Sequence, residues 1–260
     1  MTAEKSRAIV IRAVPFGETS SVVSLFCREF GKVRALAKGA WRPKSGFDGA
    51  LDLLSTCQVL VLRKTSGGLD LLTEAFLENR FRVVGSYRAF LGGMHVAELL
   101  DALTADSDPQ PELFDRAHAT LRELSGLDEP ADRIPALLVS AELAFLQLTG
   151  HAPALAVCAE CLVPLVGKSR TPFGMLDGGC LCGRCRAGKR AVVSVSPDGL
   201  AALRLLTAQP EAWRDMALPA PVEGELRAIM TTYLSHLLGR PTRVARLLQP
   251  RMAARRARNE

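Results

Sequence analysis

Histidine is scarce in this sequence: there are four in 260 residues, and they form no cluster. That removes imidazole-rich metal centres and leaves no His/Cys pair to defend as a base and its nucleophile. The chain also lacks G-x-G-x-x-G, H-E-x-x-H and G-x-S-x-G. Gly167-Lys168-Ser169 has the ending of a phosphate-binding loop, but the glycine required five residues earlier is Leu162. These gaps predict a protein that is not an enzyme. Long apolar runs are missing as well. The best, from 136 to 148, is broken by Glu142, and residues 1–14 hold no uninterrupted apolar segment of signal-peptide length. The expectation is a soluble, cytoplasmic protein that does not meet a membrane.

Cysteine is present, and it is ordered. Seven cysteines in a chain that reads as intracellular point to metal rather than disulfides. Cys158/Cys161 and Cys182/Cys185 form two Cys-x-x-Cys pairs with 20 residues between them. That is the upper edge of zinc-ribbon spacing. Each pair presents two thiolates to one ion, and two pairs close a tetrahedron with Zn–S bonds of about 2.3 Å. Pro164, Gly167, Pro172, Gly174, Gly178 and Gly179 between the pairs suit turns held by a metal rather than by a core. A redox Cys-x-x-Cys opens a helix in a βαβ setting, and two facing copies argue against it. Cys180 and, more weakly, His151 compete as ligands. A closed four-thiolate site offers no open position, so the one Zn2+ expected here is structural.

The net charge of +6 conceals an asymmetry. From Lys5 to Lys44 there are nine bases against two acids, and from Glu98 to Glu142 eleven acids against three bases. Arg240 to Arg258 carries seven arginines and no acid. Basic ends attract phosphate, although any one charged residue is more often simply solvated.

Residues 7 to about 80 read as short strands: 7–14, 20–27, 32–38, 56–63 and 69–75, with turns at Pro15–Glu18 and at Ser66-Gly67-Gly68. Lys32–Lys38 alternates bases with apolar residues. Five strands in this length fit a Greek-key OB barrel, with an SH3-like barrel as the rival. Between the third and fourth strands, Gly39–Phe47 brings Trp41 and Phe47 together with Arg42 and Lys44, beside Lys38. Bases track a phosphate backbone, and an exposed aromatic ring stacks on unpaired bases for about 1–3 kcal/mol. Lys32, Arg34, Lys38, Trp41, Arg42 and Lys44 are the candidate DNA-binding residues, while Phe16, Phe26 and Phe30 read as core. From Tyr87 the period becomes helical: 87–103, 112–124, 132–148 with Asp132 as cap and Pro135 in the first turn, then 197–206 and 221–238. The fold class is α+β. A barrel at 1–80 precedes a helical domain at 81–250 that carries the zinc module at 155–190, and 251–260 is a basic tail.

Several local texts together resemble one family. They are Phe16-Gly17-Glu18, Leu25-Phe26, Gly31-Lys32, Lys38-Gly39-Ala40 with Arg42-Pro43-Lys44-Ser45, and Leu72-Thr73-Glu74. Cys158–Cys161, Phe173, Gly178-Gly179, Cys182 and Cys185 continue the pattern. The chain resembles the RecO family of bacterial recombination mediators over nearly its whole length, to about residue 250. Cys180 and the arginine-rich tail depart from it. The resemblance implies a non-enzymatic DNA repair and recombination protein whose OB-fold binds single- and double-stranded DNA. It implies annealing of strands coated with single-strand-binding protein, contact with that protein's acidic C-terminal tail, and loading of RecA with RecR and often RecF. It also implies a place at the nucleoid. Bases for the tail would come from Arg116, Arg122 or later helices. Two other classes stay open on residues alone: a zinc-stabilised adaptor that binds only proteins, and a sequence-specific zinc regulator, for which no recognition helix is evident.

Overall fold

The computed structural model describes residues 2–43, 45–47, 49–64, 68–126 and 132–248. Lys44, Ser66, Gly67 and the basic tail at 251–260 lie outside the described residues. The chain divides into two compact units, Met1–Ala131 and Asp132–Glu260. No described helix is long and apolar enough to cross a membrane.

The first unit is a closed barrel with two helices. Its strands are β1 (Thr2–Phe16), β2 (Ser20–Cys27), β3 (Gly31–Ala37), β4 (Thr56–Arg63) and β5 (Asp70–Asn79), ordered β1-β2-β3-β5-β4. β1 is long enough to pair with β4 through residues 2–9 and with β2 through residues 8–16, which closes the cylinder. The β3–β5 pair is parallel and the other pairs are antiparallel. This is the five-stranded OB arrangement and settles the choice against an SH3-like barrel. Ala8, Val10, Val23, Leu25, Val33, Ala35, Val59, Val61 and Leu72 fill the interior. They alternate along their strands because successive side chains point to opposite faces.

The helices α1 (Tyr87–Leu103) and α2 (Pro111–Gly126) belong to the same compact unit. The unit therefore runs well past residue 80, where the sequence period changes. The reason lies on the barrel's outer surface. Ile9 and Phe26 face each other across β1 and β2 and are fully buried, although they point away from the interior. Phe114 of α2 stacks on Phe26 with centroids 6.3 Å apart, and the Arg7 guanidinium lies over the Phe114 ring. Arg28 grips Asp115 with two hydrogen bonds of 2.8 and 2.9 Å. That bond holds the Asp115 carboxyl below its usual range.

The second unit is built around α3 (Ile134–Leu148), buried on nearly every side. α4 (Pro197–Ala208), α5 (Ala220–Leu237) and a 3-10 turn at Ala212–Asp215 enclose it. Pro135 does sit in the first turn of α3, but Arg133 rather than Asp132 is the capping position, and no side chain caps it. Between α3 and α4 lies a small sheet of β6 (Thr171–Gly174), β7 (Gly179–Cys180) and β8 (Val192–Val195). In the helical core Glu142 is fully buried and accepts a charge-assisted hydrogen bond from Arg227.

Arg227→Met removes a charged donor from that buried carboxylate and is expected to cost about 3–5 kcal/mol in urea unfolding. Glu142→Leu combined with Arg227→Met recovers most of the loss. A double variant as unstable as the single one would place the defect in packing instead.

Candidate nucleic-acid face and four-cysteine centre

The outer face of β1, β2 and β3 is covered at one end and bare at the other. The strand register shifts between Val10 and Arg12, leaving Ile11 as a bulge. A bulge re-aims the residues that follow it. Beyond it Arg12, Val14 and Phe16 point outward and are exposed, while Ala13 packs toward the interior. Their cross-strand partners extend three rows over the face. Arg12 lies beside Ser24 and Ser24 beside Arg34, Val14 beside Val22 and Val22 beside Leu36, and Phe16 beside Ser20. Lys38, just past β3, is exposed next to the Phe16 row. The bare end thus offers bases at Arg12, Arg34 and Lys38 around an apolar strip ending in Phe16, which is 56% exposed.

The β3–β4 loop extends this face. The Trp41 N–H donates to the Thr19 carbonyl in the β1–β2 turn at 2.8 Å, and Ser45 Oγ donates to the Ala40 carbonyl at 2.9 Å. These bonds hold the loop at the end of the barrel with the Trp41 ring 57% exposed and Arg42 beside it in solvent. Phe47 turns the other way and joins the barrel core. The loop therefore presents one aromatic ring outward, not two.

Of the candidate DNA-binding residues, Arg34, Lys38, Trp41 and Arg42 are exposed on one side of the barrel and its loop. Arg34 spends part of its charge on Asp106 at 2.7 Å. Lys32 is different. Its position in the strand alternation is right, but its side chain lies at the covered end and is only 10% exposed. Its ammonium donates to the Asp101 carbonyl at 2.6 Å and the Thr104 carbonyl at 2.9 Å, closing the C-terminal end of α1. Asp101 and Asp106 carboxylates lie 3.3 and 3.7 Å away. Gly31 before it adopts φ +75°, and a Cβ there would meet the Asp108 backbone at 2.2 Å. Gly31-Lys32 is thus a docking device for the segment after α1, and Lys32 is not presented to a ligand. Phe16, expected in the core, is exposed because the bulge and the reach of α2 leave its row uncovered. Arg12 was available to sequence reasoning through its β1 alternation, but the bulge reverses that alternation.

In the second unit the thiols of Cys158, Cys161, Cys182 and Cys185 lie within 4.8 Å of one another. Two turns bring them together. The Cys158 carbonyl accepts from the Leu162 N–H, and the Cys182 carbonyl accepts from Arg186 N–H. Backbone N–H groups point at the sulfurs: Cys182 N donates to Cys158 Sγ at 3.3 Å and Cys185 N to Cys182 Sγ at 3.4 Å. Burial raises the Cys158 thiol, but N–H donation from Cys161, Cys182 and Glu160 outweighs it and draws the thiol down to about 6. Cys180 is outside the cluster. It sits in β7 opposite Phe173, and burial pushes its thiol up to about 11. His151 is also outside it. Its carbonyl accepts from Tyr233 Oη at 3.0 Å, and its Nδ1 lies 3.3 Å from Thr149 Oγ1. The four thiols can hold one metal ion with no position left over.

The molecule is an OB-fold protein with a helical second unit carrying a four-cysteine centre. Two family models match it, Recombination protein O N terminal over residues 1–81 and Recombination protein O C terminal over residues 85–246. The chain belongs to the RecO family of DNA repair proteins. A DNA repair protein RecO of Rhodopirellula baltica is 38% identical over 206 residues, covering 78% of this chain and 75% of that one. One from Anaeromyxobacter dehalogenans strain 2CP-C is 35% identical over 249 residues, covering 94% and 95%. One from Myxococcus xanthus is 28% identical over 233 residues, covering 90% and 91%.

Lys32→Met is expected to destabilise the first unit by about 2 kcal/mol, because the α1 carbonyls lose a charged donor. Oligonucleotide affinity in the same buffer stays close to the parent's. Lost affinity with unchanged urea stability would return Lys32 to the ligand face.

Proposed function

We propose that this chain is a non-enzymatic mediator of DNA repair and homologous recombination that holds DNA on the bare end of its barrel. The observation that carries this reading is the half-covered outer face: one sheet surface, sealed by Phe114 at one end, left basic and apolar at the other. Arg12, Arg34, Lys38 and Arg42 would neutralise backbone phosphates. Phe16 and Trp41 would stack on unpaired bases, which is sequence-tolerant because every base has a π-face. Lys44 belongs to the same basic set by sequence. Arg34 exchanges Asp106 for phosphate on binding, so its contribution is smaller than that of an unpaired arginine. The barrel at 1–80 is then the nucleic-acid-binding part of the first unit, and the helices from 81 to 250 are shared between the two units.

Holding one strand by stacking while neutralising a second lowers their repulsion, so complementary strands pair without nucleotide hydrolysis. The family membership supports single- and double-stranded DNA as ligands, and single-strand-binding protein with its acidic tail, RecR, RecA and RecF as partners. An acidic tail would draw its bases from Arg116 and Arg122, both on α2, or from the later helices.

The four-cysteine centre is proposed to hold one structural zinc ion. A regular tetrahedron with Zn–S bonds of about 2.3 Å has S···S edges of about 3.8 Å. Cys161 Sγ and Cys182 Sγ stand 3.8 Å apart. The all-thiol donor set suits zinc and disfavours magnesium or calcium. When bound, zinc joins the two knuckles that turns alone hold weakly. Arg184 is held further in its charged form by the neighbouring Cys161 thiol, and it offsets part of the negative charge that four thiolates bring.

Annealing of complementary oligonucleotides precoated with single-strand-binding protein is expected to accelerate on addition of the chain without ATP. Affinity should fall steeply with salt, at a slope of about −0.7 per neutralised single-strand phosphate. Phe16→Ala with Trp41→Ala should remove annealing while leaving the thermal midpoint unchanged. Oligonucleotide binding that is absent at moderate salt would favour a protein-only adaptor. For the metal, a strong chelator should make Cys158, Cys161, Cys182 and Cys185 titratable with a chromogenic disulfide. The buried Cys27, Cys57 and Cys180 should react only after denaturation. Four fast thiols before chelation would rule out a bound metal.

A further inference from the structure

Beside the bare face, the β3–β4 loop encloses a cleft of about 500 Å³. Exposed Trp41 and Arg42 form its rim, buried Phe47 and Leu51 its apolar floor, and Asp52 and Arg80 also line it. Arg80 follows β5, so it is 39 residues from Trp41 in sequence and no local motif joins them. Its guanidinium is a placed group. Gly49 adopts φ +67°, and a Cβ there would come within 1.8 Å of Arg80 Nη2, so the missing side chain is what lets the guanidinium lie against the loop. On another side Arg80 Nε stands 3.1 Å from Asp52 Oδ2, close enough for an ion pair but without the alignment of a hydrogen bond. The Arg80 side chain is 33% exposed.

We infer that this cleft is a nucleotide-sized anchoring site in which Arg80 binds one backbone phosphate while the attached unpaired base stacks on Trp41. The inference rests on the DNA-binding reading above and gives it a fixed point. The reasons are chemical. A guanidinium presents a planar fork of donors that fits a phosphate. Here it is oriented beforehand by Gly49 and Asp52, so less ordering is lost on binding. A flat aromatic ring and an apolar floor within the same cleft suit a base, and Arg42 on the rim suits the next phosphate. Only an unpaired nucleotide can offer base and phosphate separately in this way, so the cleft favours single strands and frayed ends over closed duplex. Asp52 works against the ligand: it shares Arg80 with the phosphate and repels it. The carboxylate therefore limits affinity, which helps a strand leave once it has paired.

The test uses the full chain and follows fluorescence anisotropy of a labelled oligo(dT), with thermal unfolding of every variant alongside. Arg80→Ala is expected to weaken oligo(dT) binding roughly 5- to 10-fold, as loss of one charge-assisted phosphate contact would. It should also lower the salt slope by about 0.7. Arg80→Lys recovers part of the loss, because it keeps the charge but not the fork. Gly49→Ala weakens binding in the same direction by displacing the guanidinium. Asp52→Asn strengthens binding, which loss of a merely structural ion pair would not do. A closed hairpin duplex should lose less than oligo(dT) on Arg80→Ala. If Arg80→Ala leaves affinity and salt slope unchanged while Phe16→Ala with Trp41→Ala removes binding, the cleft inference is overturned and the face reading stands. If Asp52→Asn and Arg80→Ala weaken binding together, the pair is structural and the inference is overturned as well. If the Phe16/Trp41 variant also binds undiminished, the face reading itself fails.

Discussion

The shift of register at Ile11 divides the barrel's outer surface, and the rest of the first unit follows from that division. Below the bulge, the outward residues of β1 and β2 are Ile9 and Phe26, which cannot stay in water without cost. They require α2, and Phe114 supplies the ring that covers them. Above it the outward residues are Arg12, Val14 and Phe16, which neither α1 nor α2 covers and which stay exposed. A barrel with an even alternation along β1 would have placed these side chains inside.

Holding the cover in place is electrostatic as well as apolar. Lys32 reaches from β3 into the end of α1, and Arg28 reaches from the end of β2 to α2. Each base meets its partner at the covered end, so these charges are spent within the protein. Arg34 stands between the two regimes, paired to Asp106 yet largely exposed. Farther along, Arg12, Lys38 and Arg42 are exposed. The basic bias of the first 44 residues is therefore two populations: charges that assemble the unit and charges that remain for phosphate. The sum of charge along the chain does not separate them.

The second unit is organised by different means. Its helices bury the ion pair of Glu142 with Arg227 inside an apolar bundle, where either partner alone would be costly. Its small sheet and two cysteine turns have little core of their own. Phe173 makes an edge contact with Tyr233, whose hydroxyl holds the His151 carbonyl, tying the cysteine segment to α5. Hydrogen bonds from backbone N–H groups aim at the sulfurs. The four thiols cluster, and Cys180 is excluded because the β6–β7 pairing turns it into the core.

Much of this was legible in the residues. The two Cys-x-x-Cys turns named the four clustered thiols, because ligand spacing within a turn is local. Five short strands with their turns gave the barrel, and helical periodicity gave the five helices, since both patterns are written in consecutive residues. Trp41 was readable as a candidate for stacking, because the bases beside it are its neighbours in sequence. Tertiary structure decided what local pattern cannot carry. The bulge at Ile11 put Phe16 in solvent against expectation, and the docking of α1 took Lys32 out of the ligand face. The β3–β4 loop turned Phe47 inward, and closure of the barrel carried Arg80 to the loop that holds Trp41. Alternation tells which residues share a face. What covers that face depends on segments far along the chain, and that is settled only when they pack.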